Sequence, residues 1–207
     1  MKKIIFIAFT LWIIESNSTN AQVVWGLRAR VSRPMMNMNN SEGVSFDGRF
    51  GLEIGPILYC SLKNNFYINS GLMFSMNRFK CSYKYYYYND YYRINDDEID
   101  LHYLEIPLYI GYSIPIGTLH TYVQVGPYIG FKLLASKTWN DGGYNKKTFN
   151  DITNLLNAGL GTMYGININR FKIEVGYQYG LTRITKNDDE YNRVKLSSLF
   201  LGVNYVF

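Results

Sequence analysis

Between Val194 and Phe207 apolar positions recur every second residue. Leu199, Leu201, Val203, Tyr205 and Phe207 share one face, and Ser198, Phe200, Gly202, Asn204 and Val206 share the other. A period of two is the signature of a strand whose faces meet different surroundings. Seven further segments follow the same rule. Val23 to Arg33 sets Trp25, Leu27, Ala29 and Val31 against Gly26, Arg28, Arg30 and Ser32. Ser45 to Tyr59 sets Phe50, Leu52, Ile54, Pro56 and Leu58 against Arg49, Gly51, Glu53 and Gly55. Phe66 to Met76 alternates Ile68, Leu72 and Phe74 with Asn69, Gly71 and Ser75, and Ile99 to Tyr112 alternates Leu104, Ile106, Leu108 and Ile110 with Tyr103, Glu105, Pro107 and Tyr109. Leu119 to Ala135, Asp151 to Ile168 and Phe171 to Ile184 complete the set, with Gln124, Lys132, Asn157, Lys172 and Glu174 on their polar faces.

Over the central parts of these segments, taken together, the charged residues share a face with the glycines, and the aliphatic residues occupy the other. A soluble, lipocalin-like barrel would reverse this and line its interior with apolar side chains. An apolar exterior around a small, polar, glycine-rich interior belongs to a barrel whose solvent is lipid. The connections agree. Short turns after the second, fourth and sixth segments, among them Asn64-Asn65 and Asn169-Arg170, alternate with longer loops. The fold expected is all-β, an eight-stranded antiparallel up-and-down transmembrane β-barrel, with short periplasmic turns and long external loops. The last strand pairs with the first and removes both sheet edges. Pro56, Pro107 and Pro127 each lack a ladder donor and are expected at local bulges.

The N-terminus adds a destination. Lys2 and Lys3 precede an apolar stretch, Ile4 to Ile14, and Thr19-Asn20-Ala21 resembles a cleavage site. This reads as a secretory signal peptide over residues 1–21, followed by the barrel domain over 22–207. The alternative, a retained anchor, has an apolar run well short of the about 20 residues that span a bilayer. Aromatic residues make up 17% of the chain, with Tyr alone at 20 positions, a composition suited to membrane–water interfaces. A net charge of +5, spread along the chain, gives no basic patch for nucleic acid. Cys60 and Cys81 enter an oxidising compartment on export, but the strand map puts them near opposite rims, beyond the reach of a disulfide, so two free thiols are expected.

The run Tyr103-Leu104-Glu105-Ile106-Pro107-Leu108, followed by Gly126-Pro127-Tyr128 and then by Gly176-Tyr177-Gln178-Tyr179-Gly180-Leu181, resembles the small outer-membrane β-barrel family of Bacteroidota often called PorT-like. The resemblance covers essentially residues 22–207. It implies an eight-stranded barrel in the outer membrane and transfers no catalytic or ligand-binding residue.

Three groups of residues carry candidate chemistry. The inward charges Arg28, Arg30, Arg49, Glu53, Glu105, Lys132, Lys172 and Glu174 are expected to pair across the lumen, because an unpaired charge in a narrow interior is costly. They make either a polar plug or the lining of a narrow channel, and eight strands leave room only for side chains, which favours the plug. Between Asn77 and Glu98 lie Tyr83, Tyr85, Tyr86, Tyr87, Tyr88, Tyr91 and Tyr92, interleaved with Arg78, Lys80, Lys84 and Arg93. Rigid rings with polar tips suit recognition of an extracellular protein or glycan; the alternative is that strands three and four simply extend past the membrane and carry the rim aromatic belt, and a β-hairpin standing above the membrane satisfies both. By resemblance to outer-membrane barrels, Tyr205 and Phe207 form the end signal read by the barrel-assembly machinery.

No enzyme is expected. His102 takes the outward parity and His120 lies near a short turn, so neither meets a nucleophile in the lumen. Asp96-Asp97-Glu98 and Asp188-Asp189-Glu190 lack the spacing of a calcium loop and read as solvated loop charge. No zinc spacing, phosphate loop or dinucleotide fingerprint is present, so no metal or cofactor is expected. The functional reading is a porin-like or cell-surface protein, structural or surface-binding through its loops. The alternative is a narrow channel or an accessory of transport or secretion.

Overall fold

The structure, a computed structural model, describes residues 22–37, 44–87, 91–117, 119–140, 144–148, 154–184 and 194–207. Of these, only the backbone is described at 37, 44–46, 83–87, 91–96, 139–140 and 144–148. Residues 1–21, the expected signal peptide, lie outside the described residues, as do Tyr88 and Asp188-Asp189-Glu190.

The described strands are β1 (Val23–Asn37), β2 (Val44–Ser61), β3 (Phe66–Gly71), β4 (Met73–Tyr87), β5 (Tyr91–Ile116), β6 (Leu119–Asn140), β7 (Tyr144–Thr148), β8 (Leu156–Ile168), β9 (Phe171–Arg183) and β10 (Lys195–Val206). They form one antiparallel sheet. β3 and β4 together pair with β2 on one side and β5 on the other, and β7 is a short strand on β6 beyond the start of β8. The result is eight barrel staves. β1 and β10 run in unbroken register from Gly26 opposite Val206 to Asn37 opposite Lys195, while β5 pairs β6. The ring is closed and no stave is left with an open edge.

The turns explain the alternation of connection lengths. Asn64 and Asn65 (φ 58° and 65°) and Asn169 (φ 54°) adopt the left-handed region, where asparagine is among the few tolerant side chains, and reverse the chain within two to four residues. Gly117 (φ 61°) does the same between β5 and β6.

The outward face is apolar all the way round: Trp25, Leu27, Val31, Ile54, Phe74, Leu108, Ile110, Val125, Leu160, Val175, Leu201 and Val203 are all exposed. A continuous apolar girdle of this extent does not occur on a protein bathed in water. On β5 it runs from His102 to Tyr112, roughly 25 Å at about 3.3 Å per residue and about 40° of tilt, which matches the apolar band of a membrane barrel. Its short-turn edge carries aromatic pairs, Phe66–Tyr112, Phe171–Tyr205 and Tyr205–Phe207, with centroids 4.8, 5.2 and 5.2 Å apart. Its other edge carries outward ion pairs, Arg33–Asp47 at 3.4 Å, Arg78–Asp100 at 2.7 Å and Arg49–Glu98 at 3.8 Å.

Several expectations need correction. The third and fourth staves do not stop at Met76 and Ile99: β4 continues to Tyr87 and β5 begins at Tyr91, paired throughout as far as Tyr87 opposite Tyr91. Once the band ends, these strands still stabilise each other through their own ladder, rising roughly 25 Å beyond it. β6 likewise extends to Asn140, and β8 starts at Leu156 rather than Asp151. The prolines do not sit at bulges. Register shifts fall between Gly48 and Phe50, between His102 and Tyr103, and between Lys195 and Ser197. Pro56 and Pro127 lie instead at gaps in the ladder that keep the register, Pro56 opposite the β3–β4 break at Leu72, and Pro107 borders the second gap. A missing N–H removes one bond without requiring an extra residue. Leu72 N still donates to Pro56 O at 3.0 Å. Cys60 and Cys81 are both thiols and are not joined in a disulfide.

The assignment of lipid and lumen faces has a direct consequence. Leu108→Arg, in the middle of the outward band, is expected to destabilise the barrel by about 2–4 kcal/mol, and Leu119→Arg, at the short-turn edge, by about 0–1 kcal/mol. Urea titration in phospholipid vesicles, followed by heat-modifiable gel migration, measures both.

Candidate functional site

The centre of the lumen is organised by one row of residues across four adjacent staves. On β1, Arg28 and Arg30 are two residues apart and so point the same way. Arg30 is opposite Glu53 on β2 and Gly202 on β10, and Gly202 is opposite Glu174 on β9. Gly202 is the position that lets the row close. A Cβ there would come 2.6 Å from the Arg30 side chain and 3.3 Å from that of Glu174, so any other residue would push apart the pair that meets over it.

The resulting contacts are short and dry. Arg30 Nε donates to Glu174 Oε1 at 2.7 Å, Nη1 to Glu53 Oε2 at 3.1 Å, and Nη2 to Met163 Sδ at 3.3 Å. Its guanidinium also lies 4.0 Å from the Phe200 ring centroid. Arg28 donates through Nε to Asn204 Oδ1 at 2.9 Å and through Nη2 to Asn69 Oδ1 at 2.8 Å, and its Nε is 3.2 Å from Glu174 Oε1. The second oxygen of Glu174 accepts from Tyr122 at 3.1 Å and Asn204 Nδ2 at 2.8 Å. Arg28, Arg30, Glu53 and Glu174 are all at most 2% exposed. One carboxylate therefore serves two arginines, a tyrosine and an asparagine.

Different layers close the lumen on either side. Toward the short turns, Ile57, Tyr59, Tyr67, Met73 and Tyr122 form a buried cluster, and the Lys172 ammonium stands 4.1 Å from the Tyr59 ring centroid and 5.2 Å from those of Tyr67 and Tyr122. Toward the long loops, Phe79, Cys81, Ile99, Leu101, Tyr103, Ala135, Ile184, Val194 and Leu196 form an apolar cluster drawn from opposite walls. Asp97 and Lys137 make a largely buried ion pair of 2.8 Å at the same end. An interior polar along its whole length is therefore not what forms. Beyond the lipid band the strands are surrounded by water, so their inner face takes the ordinary apolar core of a soluble sheet. For the same reason Asp97 is not solvated loop charge.

Of the eight inward charges proposed from sequence, Arg28, Arg30, Glu53, Glu105 and Glu174 are buried in the lumen, and Lys172 and Lys132 are half-buried on inward parity. Glu105 accepts from Ser75 and Gln178. Arg49 is not in the lumen. The bulge at Gly48/Phe50 inserts an extra residue and reverses parity, leaving Arg49 about half exposed beside Glu98 on the outer surface. Asn69, Asn204, Tyr122, Phe200 and Met163 were not singled out in the sequence. Inward parity next to Gly202 is the signal that would have found Phe200 and Asn204. Tyr83, Tyr85, Tyr86, Tyr87, Tyr91 and Tyr92 lie on the hairpin strands, where only the backbone is described. Tyr205 and Phe207 sit at the short-turn edge, and Phe207 N donates to Trp25 O at 3.0 Å across the β1–β10 seam.

A polar, charge-paired lumen inside an apolar girdle is the inverse of a soluble protein. The sequence matches the outer membrane protein beta-barrel domain over residues 16–186. The chain belongs to that family. This outer-membrane barrel is also similar to three solved structures. Neisserial surface protein A is 14% identical (TM-score 0.45), covering 88% of this chain and 97% of the other. Ail, the attachment invasion locus protein of Yersinia pestis, is 13% identical (TM-score 0.40), covering 91% and 100%. The N-terminal β-barrel domain of Pseudomonas aeruginosa OprF is 11% identical (TM-score 0.39), covering 91% and 100%. No curated protein matches the chain.

Because Glu174 neutralises two buried arginines, Glu174→Gln is expected to destabilise this outer-membrane barrel by about 3–5 kcal/mol, the cost of breaking a buried pair. Arg49→Ala, which removes a half-exposed pair of 3.8 Å, is expected to change stability by about 1 kcal/mol or less. Urea unfolding of the two variants beside the parent chain measures the contrast.

Proposed function

We propose that the protein is a non-enzymatic cell-surface barrel, closed to flow, whose β4–β5 hairpin binds an extracellular protein or glycan. The observation that carries this reading is the contrast between the two parts of the molecule. The lumen is filled from the short-turn cluster through the arginine row to the apolar cluster, while β4 and β5 continue well past the lipid band. A strand pair that served only to span the membrane would end with the band. Seven tyrosines on and around this hairpin supply contact area at low entropic cost.

A non-catalytic role is supported by the two histidines. His102 faces outward, stacked on Phe74 with centroids 5.8 Å apart, and His120 is exposed on β6 next to the short turn. Neither faces a nucleophile inside the barrel. Export is proposed to be directed by residues 1–21 and to end in cleavage after Ala21, with Tyr205 and Phe207 read by the assembly machinery and the outer face in contact with outer-membrane lipid. The PorT-like kinship within the family is part of the same reading. A narrow channel or transport accessory is the second reading, favoured only by the number of ionisable groups in the lumen.

Removing residues 84–94 and joining the strands by a two-residue turn tests the binding role. Heat-modifiable migration should be retained, because the deleted segment lies outside the lipid band. Retention of nanodisc-embedded protein on arrays of immobilised glycans and extracellular proteins should be lost. Equal retention of the parent and shortened chains would refute the hairpin as the binding element.

A further inference from the structure

The outer face changes character where the apolar band ends toward the long loops. Along each stave, the first outward charged residue past the last apolar one is Arg183 on β9, Lys195 on β10, Arg33 on β1, Arg49 on β2 and Arg78 on β4. These strands are consecutive neighbours in the sheet, so the cations form a continuous belt over one side of the barrel. On β5, the next strand round, Asp100 takes that place. The short-turn edge has no counterpart. Among the described residues its strands present aromatic rings and no outward Lys, Arg, Asp or Glu, while Lys63 and Arg170 sit in turns.

The carboxylates on this face do not balance the belt. Arg33–Asp47 and Arg49–Glu98 are long pairs, 3.4 and 3.8 Å, between side chains 48–70% exposed, and such pairs contribute little. Asp47 and Glu98 are also the ladder neighbours of a further cation, Lys80. Arg183 and Lys195 stand directly opposite each other on β9 and β10, a juxtaposition of like charges that costs stability and that an anion between them relieves. Just inside the belt, on the lipid side, Val31, Phe50, Leu181 and Leu199 are exposed. Apolar surface and a row of cations therefore meet along one line.

We propose that this belt binds the phosphate groups of a lipid in the outer leaflet, with the lipid's chains lying on Val31, Phe50, Leu181 and Leu199. The long-loop end of such a barrel faces outward, which sets the belt at the level of the outer headgroups. Guanidinium groups match phosphate oxygens through paired N–H donors, and cations beside a membrane surface attract anionic lipid. A free phosphate would use the charges and leave the adjoining apolar strip without a part, so the occupant is the lipid. The belt lies at the base of the hairpin and is independent of whatever the hairpin binds.

The test uses the full barrel folded in neutral-detergent micelles, with diphosphoryl lipid A as the probe and phosphatidylcholine as the uncharged comparison. Native mass spectrometry counts the lipids retained as each is titrated. Saturable retention of lipid A in preference to phosphatidylcholine is expected. The double variant Arg183→Gln/Lys195→Gln should weaken it roughly thirtyfold, about fivefold for each cation lost near a membrane surface. The short-turn double variant Lys63→Gln/Arg170→Gln should retain lipid A as the parent does, and millimolar inorganic phosphate should leave the complex intact. Equal retention of the two lipids, an unchanged affinity in Arg183→Gln/Lys195→Gln, an equal loss in the short-turn variant, or displacement by inorganic phosphate would each overturn the proposal. Heat-modifiable migration checks that each variant folds. If the first does not, Arg33→Gln decides, with a roughly fivefold loss expected and an unchanged affinity counting equally against the belt.

Discussion

An arginine enclosed in a lumen one or two side chains wide has little access to water, and it is stable there only if a carboxylate reaches it. Glu174 does so for both Arg28 and Arg30, and it does so across a strand, because Gly202 leaves the space between them empty. Much of the interior follows from this contact. Asn204 and Tyr122 are drawn in to satisfy the second oxygen of Glu174, Asn69 takes a further donor of Arg28, and Phe200 packs against the guanidinium of Arg30. The contact also ties β1 to β9 through β10, so it spans the seam where the first and last strands meet. Ladder hydrogen bonds close the ring, and the charge row fixes which residues face each other across it.

The two ends of the barrel then follow from their surroundings. Within the lipid band the outer face must be apolar and the inner face can be polar, since lipid offers nothing to a charged group. Beyond the band, water lies outside and the preference reverses, so the inner face of the hairpin strands gathers Phe79, Leu101, Ile184 and Leu196 into a core. The protein changes from membrane logic to soluble logic along the same strands. The ion pairs Arg33–Asp47 and Arg78–Asp100 mark the level at which it does so.

This explains what could be read in the sequence. Alternation is a local property, and it assigned the inward and outward faces of Val23–Arg33, Phe171–Ile184 and Val194–Phe207 because each of those segments crosses one environment without a register shift over its central part. It misplaced Arg49 because a bulge reverses parity while leaving the residue types unchanged. It ended the third and fourth strands early because beyond the band the alternation changes face, with Phe79, Cys81, Ile99 and Leu101 turning inward where aliphatic residues had faced outward, although the ladder continues. The sharing of Glu174 is a long-range fact that no spacing within one strand records. Only the register of three strands, Arg30 opposite Gly202 opposite Glu174, brings it out.

On the function proposed, side chains close the lumen to flow and contacts with extracellular molecules belong to the hairpin outside the membrane. Planar-bilayer recording of the intact chain tests this most directly. Bilayers are expected to stay silent at any protein load that gives full heat-modifiable folding, with no stepwise current at either polarity. Discrete, reproducible conductance steps from the folded protein would contradict it and would make the arginine row the lining of a channel.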